Sequence, residues 1–448
     1  MKHETSSHTI KRARIKLEDD PVILARFTML VAERGARFGE ITTFHIGKDH
    51  KVRDADIIAP NETVFDEICD AIRRMDGIDL LEVKDVVHET HLHGKIEIAP
   101  RVAVKSIDDL QLVYTPGVAS VCKQIEANPS LAYELTGIQN SVAIVTNGTA
   151  ILGLGDIGPV AGMPVMEGKA LLFRLLAGIN GYPILVDSKE PEEIIRTVAA
   201  IAKTFGAIKL EDIRAPECFE VETRLDEALD IPVVHDDQHG TAVVVLAALF
   251  NIANYTHVNL RRSTVGIIGL GAAGAGIFKL LHAYGVRRVV GTDIKGAMTE
   301  NFAAGGGVPA TLEGVMGEAD IVIATTGVPG LIRPDLVRAK QVILALSNPD
   351  PEIHPDEAVA AGAAFAADGK AVNNALAFPG LFRGALDARA THINNLMKIA
   401  AAEVIAGFAS DGDLVPNILD REVHAAVAKA VREAALKSGV VKFVSGLD

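Results

Sequence analysis

The chain has 448 residues, enough for two or three domains, and its 49% hydrophobic and 23% charged residues describe an ordinary globular protein. A net charge of −14 argues against nucleic acid or an anionic membrane surface as the main partner. Cys69, Cys122 and Cys218 are too scattered for a disulfide framework, and a reducing cytoplasm is expected.

The longest apolar run, Ala242 to Ala253, falls short of the roughly 20 residues that a membrane span needs. No apolar core follows Lys2, His3 and Glu4, so no secretory leader is expected.

The first 88 residues have their own rhythm. Thr9 to Leu17 alternates as a strand, and Pro21 to Arg34 carries apolar residues at helical spacing until Gly35. Ile41 to Ile46 and Arg53 to Ile58 read as a hairpin across Gly47-Lys48-Asp49-His50. A helix from Glu62 to Met75, capped by Asn61 and ended by Gly77, precedes a strand from Leu80 to Val87. The order βαββαβ is that of a ferredoxin-like domain.

A connector with one strand, Lys95 to Ile98, follows. Tyr114 then precedes a Thr115-Pro116-Gly117 turn that opens a helix; a tyrosine there suits a proton donor facing a cleft or a packed ring. Val142 to Thr146 and Ala150 to Leu154 read as strands joined by the turn Asn147-Gly148. Gly153-Leu-Gly-Asp-Ile-Gly158 matches the dinucleotide fingerprint in letters, but Pro159, Gly162 and Pro164 follow it, so no helix is expected at its last glycine. We place the next helix start at Glu167-Gly168-Lys169. A lysine there opposes the helix dipole, which lowers its pKa and suits a base; an exposed lysine is the plain alternative.

A strand from Ile184 to Val186 and a helix from Pro191 to Phe205 lead to two acid pairs, Glu211-Asp212 and Asp236-Asp237. Carboxylates converging without basic partners repel one another unless a divalent cation neutralises them, which suggests Mg²⁺ or Mn²⁺; a solvated helix face from Glu211 to Glu222 is the other reading. The second pair lies between the strand Val233-Val234 and a helix expected to start near Thr241, where α/β proteins collect ligands. That start leaves His235 and His239 outside the helix, so their spacing does not point to zinc. The neighbours Glu211 and Asp212 reach one ion only if the strand has already ended.

The second half carries a fuller nucleotide signal. Thr264 to Ile268 is a strand, Gly269-Leu-Gly271-Ala272-Ala273-Gly274 the turn, Ala275 to Tyr284 a helix, and Arg288 to Asp293 a strand ending in an acid 19 residues past Gly274. Asp293 points to NAD through the ribose 2′-hydroxyl, while Lys295 offsets it and would admit NADP. Further strands end at Thr325, at Ser347-Asn348-Pro349 and, from Ala371-Val372, at Asn373-Asn374; such asparagines suit a substrate carboxylate or an ordinary turn. Alanine-rich helices across Ala390 to Phe408 and Asp420 to Ser438 close the chain.

From about residue 95 onward these motifs resemble a malic enzyme of the short bacterial type. The resemblance rests on Tyr-Thr-Pro-Gly-Val-Ala at 114 to 119, Gly-Leu-Gly-Asp-Ile-Gly at 153 to 158, Glu-Gly-Lys-Ala at 167 to 170, Leu-Glu-Asp at 210 to 212 and His-Asp-Asp-Gln-His-Gly-Thr at 235 to 241. Ser-Asn-Pro at 347 to 349 and Val-Asn-Asn-Ala-Leu-Ala-Phe-Pro-Gly at 372 to 380 complete it. The front segment resembles an ACT domain, a module that pairs edge to edge and binds small effectors near a first turn matching Glu18-Asp19-Asp20-Pro21.

The resemblance implies an α/β fold with an ACT-like domain at 1–88, a substrate and metal domain at 89–240, a Rossmann NAD(P) domain at 241–390 and covering helices at 391–448. It implies that Glu211, Asp212 and Asp237 hold Mg²⁺ or Mn²⁺, that Lys169 is the base supported by Asp236, and that Tyr114 is the acid. Asn348 and Asn374 would contact malate, and Gly269, Gly271, Ala272, Ala273, Gly274, Asp293, Lys295, Thr325 and Asn348 would meet the nucleotide. L-Malate would be oxidised and decarboxylated to pyruvate by an even homo-oligomer. One departure stands out: longer malic enzymes carry an arginine where this chain has Thr149-Ala150-Ile151, so another group must grip the substrate carboxylate. A malolactic enzyme, a metal-independent amino-acid dehydrogenase and a catalytically silent binding protein are the alternatives.

Overall fold

The computed structural model describes residues 9–442, apart from 152 and 411. The expected absence of a leader at Lys2 to Glu4 concerns residues outside this range. The chain divides into two compact units, 1–97 and 98–448.

In the first unit the strands are β1 (Thr9–Glu18), β2 (Arg37–Ile46), β3 (His50–Ala59) and β4 (Ile78–Asp85), with helices Pro21–Glu33 and Glu62–Arg73. They form an antiparallel sheet in the order β2-β3-β1-β4. Alternation along β1 and β3 sends Ala13, Ile15, Leu17, Ala55, Ile57 and Ala59 to a core shared with Phe27, Phe65, Ile68 and Ile72 of the helices. The opposite face is polar: Arg14 forks onto Asp54 at 2.7 and 2.8 Å, and Arg12 onto Asp56 at 2.7 and 2.9 Å. Asp20 and Asn61 cap the two helices. The strand expected at Lys95 to Ile98 does not form, and a short helix, Val86–His91, stands before it instead. A strand forms only where a neighbouring strand completes its backbone ladder, and the sheet of this unit has β2 and β4 as its edges.

The second unit holds two parallel sheets. The first comprises β5 (Ser141–Thr146), β6 (Asn180–Leu185), β7 (Ala207–Leu210) and β8 (Val233–His235) in the order β6-β5-β7-β8. The second comprises β9 (Thr264–Ile268), β10 (Arg288–Thr292), β11 (Val308–Pro309), β12 (Ile321–Ala324), β13 (Val342–Ala345) and β14 (Phe365–Asp368), ordered β11-β10-β9-β12-β13-β14. That is the doubly wound order of a Rossmann domain, with a crevice between β9 and β12. Central strands such as Val142 to Val145 are buried on both faces.

Several expectations are corrected here. Helix Pro159–Ala177 opens directly after Gly158: Pro159 takes the first helical position, where no N–H is needed, and the helix runs through Pro164. In place of a strand from Ala150 to Leu154, Ile151 and Gly155 form an isolated bridge across positive-φ glycines, residue 152 lying outside the described set. The last strand of the second sheet is β14; residues 369–371 form a 3-10 turn. The closing helices are Phe378–Asp387, Asn395–Gly407 and Arg421–Ser438. Among the described residues no helix is long and apolar enough to cross a membrane.

Candidate active site

β7 ends at Leu210, so Glu211 and Asp212 lie just past a strand. Asp212 adopts φ +52, a left-handed turn that frees the two neighbours from pointing to opposite faces. Leu210 pairs with His235 of β8, which brings Asp236 and Asp237 alongside, and the Asp212 N–H donates to Oδ2 of Asp237 at 3.0 Å. One oxygen each of Glu211, Asp212 and Asp237 lie within 4.8 Å of one another. The solvated-face reading of Glu211 to Glu222 therefore fails for its first two acids, which are buried; the helix starts only at Glu217.

Two lysines enter this cluster. Nζ of Lys169 lies 2.9 Å from Oδ2 of Asp236, 2.8 Å from Oε1 of Glu211 and 3.2 Å from Oδ1 of Asn374. Nζ of Lys209 lies 3.0 Å from the same Asp236 oxygen and stands against Oε2 of Glu211. Both ammonium groups face the ring of buried Phe378, at 5.0 and 4.7 Å.

Four carboxylates against two ammonium groups leave two negative charges when all are ionised, the charge a divalent cation would neutralise. Burial, with help from Asp237, pushes Asp212 up to about 7, and its Oδ2 is buried without a hydrogen-bond partner. A carboxylate strained in this way, in a set of hard oxygen donors, fits Mg²⁺ or Mn²⁺.

The lysines shift in opposite directions. Burial lowers Lys209 to about 7 against the pull of Asp236, and neighbouring Lys169 adds to that drop. Burial also works against the charge on Lys169, yet Asp236, by charge and hydrogen bond, leaves it above its ordinary value. The expected lowering of Lys169 by a helix start is thus corrected: the residue sits in the third turn of Pro159–Ala177, far from the end where the dipole acts.

The helix expected near Thr241 starts at Asp236, two acids in its first turn suiting the dipole. His235 and His239 are consequently at and inside the helix start, but they serve other partners. Nε2 of His239 lies 3.0 Å from Glu222 and its Nδ1 2.9 Å from Nζ of Lys398, while His235 Nε2 lies 3.4 Å from Asp237. Glu222 also accepts from the His235 N–H and from Gln238 at 2.7 and 2.9 Å, fixing the helix start. Although burial opposes its charge, these partners, His239 foremost, hold Glu222 down at about 2.

Tyr114 is not brought to this cluster. It is 67% exposed and, among the described residues, shares no hydrogen bond or ring contact with Lys169, Asn374 or the acids. No residue from 98 to 140 is buried, although Ile98, Ile107, Leu110 and Leu112 are apolar.

On the nucleotide side, Gly271 leads into helix Ala272–Tyr284, whose first turn holds Ala272, Ala273 and Gly274. A β-carbon on Gly274 would stand 1.9 Å from the carbonyl oxygen of Gly269, so this close approach requires glycine. Asp293 accepts from the backbone N–H groups of Leu270 and Lys295 at 2.7 and 2.8 Å, which locks it beside the glycine turn. Next to it Ile294 is 99% exposed and Lys295 is exposed. Thr325 donates its hydroxyl to Gly269, and Glu352 ties Thr326 at 2.7 Å to Ser347, which adjoins Asn348.

Lys209, Phe378, Glu222 and Lys398 were not singled out from the sequence. A signal for Lys209 existed: it interrupts the apolar strand Ala207–Leu210 two residues before Glu211, on the same face. Lys398 had none, since its partner lies 159 residues away.

Comparison with known proteins identifies the family. The malic enzyme N-terminal domain family matches residues 93–192, and the NAD-binding domain of D-isomer specific 2-hydroxyacid dehydrogenases matches 244–329. NAD-dependent malic enzyme 1 of Bacillus subtilis is 52% identical over 96% of this chain and 99% of its own. NAD-dependent malic enzyme of Geobacillus stearothermophilus is 41% identical over 96% and 95%. The crystal structure of malic enzyme from Pyrococcus horikoshii superimposes with a TM-score of 0.74 at 40% identity, covering 80% of this chain and 93% of that one. The chain belongs to the malic enzyme family.

Proposed function

We propose that the protein converts L-malate to pyruvate and CO₂ with reduction of NAD or NADP. The observation that supports this most is Lys169, held by Asp236 and Asn374 at the rim of three converging carboxylates. Glu211, Asp212 and Asp237 would hold Mg²⁺ or Mn²⁺. A bound cation would supply Lewis-acid stabilisation of negative charge on oxygen, and a bound nicotinamide would supply the hydride acceptor. Lys169 takes the C2 hydroxyl proton at Nζ once it is neutral, a state that loss of its Glu211 partner to the cation would favour; Asp236 stabilises the ammonium that results, and Asn374 fixes its direction. Asn348 and Asn374 bind the substrate. NAD is favoured by Asp293, tied to the glycine turn, and by the NAD-dependent relatives.

The proton donated to C3 after CO₂ leaves comes, in this reading, from Tyr114 of the partner subunit. The apolar, unburied stretch at 98–140 supports an even homo-oligomer in which a second copy covers it and carries its tyrosine to this site. The two parallel sheets support separate substrate and nucleotide parts, placed in this reading at 89–240 and 241–390 and joined through helix Asp236–Thr256, with helices at 391–448 covering them. The first unit serves, in this reading, as a ferredoxin-like, ACT-like regulatory domain. Its sheet order, its exposed edge strand β2 and the turn at Asp20 support pairing and a small effector there.

The test is L-malate with Mn²⁺, given NAD and NADP in separate assays and followed by absorbance of the reduced nicotinamide. Lactate forming without reduced nucleotide would favour malolactic chemistry, and turnover surviving EDTA would sink the metal role.

A further inference from the structure

Lys209 is fully enclosed, its relative exposure being 0%. An ammonium group withdrawn from water is costly unless its contacts recover the loss. Its contacts are Glu211, Asp236 and the Phe378 ring. Both oxygens of Glu211 are thereby claimed: Oε1 lies 2.8 Å from Lys169, and Oε2 stands against Lys209. Lys169 has a further hydrogen-bonding anchor in Asn374 at 3.2 Å, whereas among the described residues Lys209 has the two carboxylates and the Phe378 ring. A cation that takes Glu211 as a ligand must take one of these oxygens from a lysine, and it arrives beside the nitrogens of both.

We infer that Lys209 is a positioning residue that competes with the divalent cation for Glu211 and holds the affinity of the site down. This rests on the metal reading proposed above. Lys209 orients Glu211 and Asp236 before the ion enters, and it keeps the ion exchangeable with solution. A lysine with a merely structural role would behave in the opposite way, since removing it would loosen the site and weaken binding.

The experiment is a Mn²⁺ titration of the full chain without substrate, following the free-ion signal by electron paramagnetic resonance. It compares wild type, Lys209→Gln, Lys209→Met and Asp237→Asn, with thermal melting to confirm that each is folded. Loss of the competing charge should lower the Kd for Mn²⁺ about tenfold or more in the Lys209 variants, and Asp237→Asn should raise it. Lys209→Met packs on Phe378 without charge and decides the matter should Lys209→Gln not fold. Unchanged or weaker binding in the folded Lys209 variants, with Asp237→Asn impaired, overturns the role of Lys209 and leaves the metal site standing. Undiminished binding in Asp237→Asn overturns the metal site itself.

Discussion

A β-carbon on Gly240 would stand 2.1 Å from Oδ1 of Asp236, one helical turn earlier, and 3.2 Å from the β-carbon of Asn374. The glycine inside helix Asp236–Thr256 thus gives up helix propensity to leave room for the carboxylate that holds Lys169. Gly240→Ala should displace Asp236 and Asn374 together. We expect kcat for malate to fall on the order of a hundredfold while the protein still folds, because a displacement of about 1 Å in a positioning group has that effect. Steady-state kinetics beside a melting curve checks this; an alanine variant with unaltered kcat would show that Asp236 needs no such space.

Lys169 and Tyr114 offer a test of where the acid comes from. Lys169→Ala should abolish malate oxidation and leave nucleotide binding intact, and Tyr114→Phe should impair the protonation of C3. If each site takes Tyr114 from a second copy, mixing the two impaired variants creates one complete site per mixed dimer. Unfolding and reassembling them in equal amounts should then restore about a quarter of wild-type turnover. No recovery, with mixed dimers demonstrated by mass, would place both groups in one chain.

What was readable from the chain divides along physical lines. The front elements fall within four residues of the bounds expected from period-two and helical spacing; β1, β3 and the two helices each have one buried face, whereas β2, exposed along nearly its whole length, begins at Arg37, well before the expected Ile41. The nucleotide turn was readable because Gly274 answers a steric demand made within a few residues. Helix Pro159–Ala177 was misplaced because Pro159 and Pro164 were weighed as breakers, while Pro159 in fact sits where a helix start favours it. Helix Asp236–Thr256 starts ahead of the expected Thr241 and takes in Gly240, whose lack of a side chain leaves room for Asp236. The metal-ligand candidates were visible as paired acids and Lys169 as a candidate base, but Lys209 and the ion pairs that join both lysines to the acids were not. Lys169 meets Asp236 across 67 positions, and only the β7–β8 register brings Glu211 beside Asp236.

Cofactor choice should turn on Asp293. Its carboxylate accepts from Leu270 and Lys295 N–H groups, so it is fixed where an adenosine ribose would lie and would repel a 2′-phosphate. Asp293→Ser keeps an oxygen for the glycine turn and removes the charge. The ratio of kcat/KM for NADP over NAD should rise about tenfold or more, Lys295 being adjacent to meet the phosphate. A ratio that does not move would mean that another group reads the ribose.

In the first unit Arg14 holds Asp54 by two hydrogen bonds, and that contact, ahead of the opposing effect of burial, keeps the Asp54 carboxyl below its ordinary value of 3.8. A carboxyl lowered on folding adds stability that is complete above the unfolded pKa and disappears as pH falls through the folded one. Asp54→Asn should therefore cost the first unit roughly 1–2 kcal/mol at pH 7, a charged hydrogen-bonded pair with partial screening. The difference should narrow once pH drops below 3.8 and close when wild-type Asp54 is protonated too. Calorimetric melting of the full chain at pH 7, 4 and 2, wild type against variant, measures it. A penalty that stays constant across these pH values would assign the effect to packing and not to the ion pair.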